Sequence, residues 1–251
     1  MTSSVRDAVQ RLSSSPDVAD GLQAARGAID ALLWRRDVRS SASEYSVASR
    51  AQGAQASAAM DGSDIAVVDD SPMGRVLASA QAITGEVPSQ VDTWARAPLQ
   101  VLAHLHAIAA HLHAPSDQLG RPRTEGQSVD DPLNIGSMPS AREAAGRLAL
   151  LGELVTGARE ESALIVAGIV HAELLAARPF AWGSGLIARA SVRLVLADRG
   201  VDPSLFSIPE VGMLRVGRAA CARATKAYAA GDVNGYLLWF LATVEAGVEA
   251  A

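Results

Sequence analysis

Apolar positions along the chain recur every three or four residues, in runs separated by clusters of Gly, Pro, Ser and Asp. That is the pattern of successive amphipathic helices. The clearest run opens at Pro98, whose fixed φ suits a first helical turn, and places Val101, Leu105, Ile108 and Leu112 at i, i+4, i+7 and i+11. Similar runs predict helices over 21–36, with Leu22, Ile29, Leu32 and Leu33 inward, and over 73–82 after a turn at Asp69-Asp70-Ser71-Pro72, whereas 43–60 is rich in Ala, Ser and Gln without strong apolar periodicity and ends at Asp61-Gly62. Gly62 suits the position just past a helix end, because it takes positive φ without strain. Ser140-Ala141-Arg142-Glu143 reads as a capping box that opens a helix with Leu148, Leu151 and Val155 on one face. The run 162–177 is the most apolar and predicts a central helix, followed by 186–199 up to Gly200. A second capping box, Ser207-Ile208-Pro209-Glu210, predicts a helix to Tyr228. After the break at Gly231-Asp232, Leu237, Phe240, Val244 and Val248 mark the last one.

No segment sustains a period of two, and no internal repeat is visible. The fold class is therefore all-α, in one domain spanning 20–251 behind a loosely ordered arm, 1–19. The stretch 114–139, with four prolines, predicts a long surface loop and the one place for a small β-hairpin excursion. At 251 residues, 49% of them apolar and only 4% aromatic, the core is built from Ala, Leu and Val, which favours helix. The net charge of −5 argues against nucleic acid as a partner. A single cysteine, Cys221, excludes internal disulfides and suits a reducing cytoplasm. The longest uncharged stretch, 97–116, carries four His, a Gln and two Pro, which a bilayer would reject. No export signal opens the chain, so the expected location is the cytoplasm, without a membrane partner.

The most informative stretch is Arg178-Pro179-Phe180-Ala181-Trp182-Gly183-Ser184-Gly185-Leu186-Ile187-Ala188-Arg189. A helical run enters it and another leaves it. Such a loop either gathers backbone N–H groups into an anion site or is only a tight helix–helix turn. The segment resembles the Fic family motif, His-Pro-Phe-x-Asp/Glu-Gly-Asn-Gly-Arg-x-x-Arg. Pro179, Phe180, Gly183, Gly185 and Arg189 match that frame. Arg178 stands for the His, Trp182 for the metal-binding acid, Ser184 for Asn and Leu186 for the first Arg. Upstream, Ser57-Ala58-Ala59-Met60-Asp61-Gly62 is similar to the family's inhibitory helix motif, Ser/Thr-x-x-x-Glu-Gly/Asn, within an N-terminal inhibitory-type helix over 43–62.

The resemblance implies a helical bundle around a central helix–loop–helix, and a reaction that transfers AMP or another phosphate-bearing group onto a protein hydroxyl. It also implies that the inhibitory acid, here Asp61, pairs with the second loop arginine, here Arg189. Arg189, on the first turn of its helix, would fold back over the loop mouth, and Asp61 would point outward to meet it. The residues themselves depart from the chemistry. A guanidinium stays protonated and cannot serve as the general base. An indole cannot hold Mg²⁺, which takes oxygen ligands. Leu186 removes a phosphate clamp.

The expectation is a catalytically degenerate protein that acts through a protein partner, or through a phosphate or nucleotide held by Arg178, Gly183, Ser184, Gly185 and Arg189. No catalytic residue, cofactor or metal site is assigned, and Trp182 would plug the old nucleotide pocket. The alternative is an enzyme of altered phosphoryl chemistry using His171 or Glu173. Gly183-x-Gly185-x-x-Ala188 is also a fragment of the dinucleotide fingerprint of NAD-dependent oxidoreductases, meaningful only after a strand. Of four histidines on one helix, His104 and His111 should flank the apolar face while His106 and His113 face away. Each pair is separated by about 10 Å of rise, too far for one metal. Trp34, Trp94 and Trp239 read as core anchors. Arg35-Arg36 and Arg121-Pro122-Arg123 read as solvated basic spots.

Overall fold

The computed structural model describes residues 3–251, which form twelve α-helices and no strand among them. They are α1 (Ser3–Ser13), α2 (Pro16–Trp34), α3 (Arg36–Ser40), α4 (Ala42–Met60), α5 (Pro72–Trp94), α6 (Pro98–Ala110), α7 (Ala141–Gly157), α8 (Ala163–Ala177), α9 (Ser184–Asp198), α10 (Pro209–Val216), α11 (Arg218–Ala229) and α12 (Val233–Val248). The all-α class expected from the periodicity holds. The 110–141 connection contains one 3₁₀ turn, Ser116–Gln118, and no hairpin.

Burial decides the architecture. In α8, 13 of 15 residues are buried, and in α9, 14 of 15. Neither has a polar face to offer water, so both must lie inside. They pack against each other across the 178–183 loop, with α7, α11 and α12 against α8 and α4, α5 and α6 against α9.

α4 is bound to this centre differently. Its sequence has almost no apolar periodicity, and polar pins from α9 replace it. Arg193 makes a two-pronged ion pair with Glu210 of α10 (2.6 and 2.9 Å) and donates to Ser49 O of α4 (3.2 Å). One turn earlier, Arg189 donates to Ser57 Oγ (2.7 Å) and Ser57 O (3.0 Å). α4 ends in a Schellman motif: Gly62 has φ +94°, its N–H donates to Ala59 O and Ser63 N–H to Ala58 O.

Several expectations are corrected. Residues 3–13 and 16–19 are helical rather than a loose arm, because Val9 and Val18 are buried and α1 packs on α2 and α8; residues 1 and 2 of that arm lie outside the described residues. α5 runs well past residue 82, through Pro88, because Ile83, Val87 and Trp94 continue its buried stripe. Ser207 caps nothing: its hydroxyl donates to Asp202, Glu210 is taken by Arg193, and Gly217 (φ +101°) separates α10 from α11. Ser140 does cap α7, accepting from Glu143 N–H (3.1 Å). Trp34 is 73% exposed, with Arg39 over its ring, whereas Trp94 is buried as expected.

The face of α6 is also rotated from the expected one. Val101, Leu102, Leu105, His106 and Ala109 are buried, while Leu112, His104 and His111 are exposed. His106 is inside because its imidazole is used twice. Its Nδ1 accepts from Gly120 N–H (3.0 Å), and its ring stacks on Phe180 at 4.3 Å, while burial lowers its pKa to about 4.

Candidate functional site

The loop is built from two residues in left-handed conformation around a buried proline–phenylalanine pair. Arg178 ends α8 at φ 42°, ψ 65°, and Gly183 starts α9 at φ 75°, ψ 13°. A left-handed arginine is uncommon and needs surrounding contacts to hold it. Those contacts come from the 121–139 segment, which lies across the loop as a strap. Arg123 N–H donates to Pro179 O (2.8 Å), and Asp130 N–H to Ala181 O (3.0 Å). The Arg123 guanidinium donates to Arg178 O (2.8 Å) and Pro139 O (2.6 Å). Arg123 is therefore a buried pin, not part of a solvated basic spot.

The strap also supplies the anions. The Asp130 carboxylate accepts from Gly183 N–H (3.2 and 3.3 Å), the amide that opens α9. Asp131 pairs with the Arg178 guanidinium (3.0 Å), which also donates to Gly136 O (2.5 Å) and Ser137 O (2.9 Å). Asp131 holds its own turn by accepting from Ile135 and Gly136 N–H (2.9 and 2.8 Å).

Behind the loop, Asp61 Oδ1 lies 2.8 Å from Arg189 Nη2, within the ion-pair reach expected from the two motifs. The manner differs from expectation. Both side chains are buried, the arginine on the second turn of α9 and the acid turned inward, so the pair lies beneath the loop, not across its mouth. Gly185 permits the approach, since a Cβ there would stand 2.9 Å from Asp61 Oδ1.

Asp61, Asp130, Asp131, Arg178, Ser184 and Gly185 together line a cleft of about 10 Å³, room for one water at most. Three acids share this space with Arg178, and Arg189 lies just beneath. Burial pushes Asp130 up to about 7, with the Asp61 charge adding to it and the Gly183 N–H opposing it. Burial likewise pushes Asp61 up, against the pull of Arg189. Two buried N–H groups here have no acceptor, Arg178 Nε and Arg189 Nη1.

Of the residues expected to hold an anion, Arg178, Ser184 and Gly185 reach one cleft, Gly183 is bonded to Asp130, and Arg189 is engaged by Ser57 and Asp61. Gly62 shapes the turn after Asp61. Trp182 is not in the lining of this cleft. It stacks on His113 at 3.6 Å, within 9° of parallel, outside the cleft lining, and the strap fills the space instead. Trp182 offers no oxygen ligand at that position, and no group of three metal-ligating side chains is placed to hold an ion among the described residues.

His171 is a core residue: its Nδ1 meets Tyr236 OH at 2.6 Å, and burial lowers its pKa to about 3. Glu173 is held by Arg147 (2.8 and 3.0 Å) and Tyr228 (2.6 Å). The Gly183–Ala188 fingerprint follows a helix, so the dinucleotide context is missing.

Sequence reasoning missed Asp130, Asp131, Arg123, Arg193 and Glu210. The available signal was the i, i+4 pair of arginines inside an otherwise apolar helix, which demands acids elsewhere in the chain.

The arrangement of helices is shared with solved structures. The chain has the Fic fold. A Fic family protein from Desulfovibrio desulfuricans G20 superposes with TM-score 0.76 at 18% identity, covering 94% of this chain and 74% of that one. Fic-1 from C. elegans matches with TM-score 0.70 at 14% identity, over 93% and 71% of the two chains. A single-substitution variant of that Fic-1 region gives 0.63 at 16%, over 99% and 73%. No protein-family model and no curated protein matches the sequence. No helix among the described residues is long and apolar enough to cross a membrane.

Proposed function

We propose that this Fic-fold protein does not transfer nucleotides and acts by binding, in the cytoplasm, where its one free thiol stays reduced. The observation that carries the proposal is the state of Arg178. It takes the position of the motif's general base, has a permanent charge, and is tied to Asp131 and two strap carbonyls. Leu186, at a phosphate-clamp position, is buried and apolar. Neither His171 nor Glu173 lines the cleft, which counts against either as a substitute base.

With the loop self-occupied and only about 10 Å³ of space, the first binding mode is a protein partner on the outer surface. A phosphate-bearing ligand is the second mode, favoured by the two buried N–H groups without acceptors, Arg178 Nε and Arg189 Nη1. The test is incubation of the purified protein, alone and with lysate, with α-labelled ATP. No labelling above a heat-denatured control is expected. Labelling above it refutes the loss of transfer. Restoring chemistry would need replacement of Arg178, Trp182, Ser184 and Leu186 together, because base, metal site and clamp act as a unit.

A further inference from the structure

We infer that the 121–139 strap is an internal ligand: Asp130 and Asp131 occupy the loop's donors in place of an external anion, and the strap must lift before any anion enters. The inference rests on the functional reading only in taking the loop to be closed in the resting protein.

Three independent features support it. First, each strap carboxylate meets a donor of the kind that recognises a phosphate oxygen, Asp130 the α9 N-terminal amide and Asp131 a guanidinium. Second, the strap has no helix or strand of its own, so side chains and single bonds hold it. Besides those two carboxylates, it is held by two backbone bonds to the loop, by Arg123, by the carbonyls of Gly136 and Ser137, by Arg218 on Pro132 O (2.6 Å), by Glu125 accepting from Ala141 N–H (2.7 Å), and by Leu133 and Ile135 in the core. Third, the occupancy is imperfect. Arg178 Nε is buried, at a side chain 5% exposed, and has no acceptor; beneath it Arg189 Nη1, held with Asp61 rather than by the strap, has none either, and Asp61 Oδ1 has no well-aligned donor. An internal ligand shaped by its own backbone leaves donors over that a freely oriented dianion would take.

The probe is inorganic pyrophosphate, with thermal unfolding and amide hydrogen exchange as readouts. In the double variant Asp130→Ala/Asp131→Ala both internal ligands are gone. Saturating pyrophosphate should raise its Tm by roughly 5 °C or more, as mass action on a newly opened site requires. The native chain and Asp130→Asn, whose amide oxygen still accepts from Gly183, should move far less.

In the native protein, pyrophosphate should accelerate exchange at the amides of Arg123 and Asp130, in proportion to its concentration, because it traps the lifted state from which they exchange. Helices α8 and α9 should not follow. An equal Tm rise in native and double variant overturns the inference. So does unchanged or slowed exchange at those two amides, and that measurement decides the matter alone if the double variant fails to fold. Labelling with AMP would refute the functional proposal while leaving these strap readouts as they stand.

Discussion

Asp130 makes the strap's energetics measurable, because its carboxylate is partly buried beside Asp61 and Asp131 with one backbone amide as donor. In the unfolded chain it titrates near 3.8, and in the folded site near about 7. Between those values the folded protein holds a proton that the unfolded chain has released, so stability falls as pH rises through that window and levels off above about 7. A gap of about three pH units, at about 1.4 kcal/mol each, sets a ceiling of about 4 kcal/mol on the penalty for ionised Asp130 at pH 8. Residual solvent contact softens it to about 2 kcal/mol.

Asp130→Asn imitates the protonated form and keeps an acceptor for Gly183. It should stabilise the protein at pH 8 by about 2 kcal/mol, a rise in Tm of roughly 4–8 °C for a chain of this size. At pH 5, about one unit into that window, the unfolded chain has already released its proton, so the gap should be less than half of that at pH 8, and it should close only below about 3.8. Thermal and urea unfolding of both proteins at the two pH values is the assay. A variant less stable at pH 8, or a gap of equal size at pH 5 and pH 8, would refute the claim that burial among like charges dominates this group.

Asp61→Ala leaves the Arg189 guanidinium buried and uncompensated and should cost about 3–5 kcal/mol in urea unfolding; a loss below about 1 kcal/mol would mean the pair is effectively exposed. Cys221, fully buried and with its thiol pushed up to about 12, should not react with a thiol reagent in the native protein at pH 8 and should react at once after unfolding.

Periodicity determined the helical class and the amphipathic face of α12, because an apolar stripe at 3.6-residue spacing asks to be buried, and near-continuous apolar residues determined the central place of 162–177. The two Fic-like motifs brought Asp61 and Arg189 within ion-pair reach. Where the local pattern carried no information, tertiary structure decided. α4 has no apolar stripe, so nothing in its own residues said that Arg189 and Arg193 would hold it. The face of α6 was set by Phe180 and Gly120, which gave His106 a stacking partner and a donor inside the core.

The loop shows the same limit most clearly. Gly183-Ser184-Gly185 was legible as a turn with amide donors, but its ligand was not, since Asp130 and Asp131 lie more than forty residues upstream in a proline-broken segment without periodicity. A hydrogen-bond donor specifies only the type of its partner. Which acceptor arrives, whether the chain's own carboxylate or a foreign anion, depends on how the intervening helices fold that segment back across the loop.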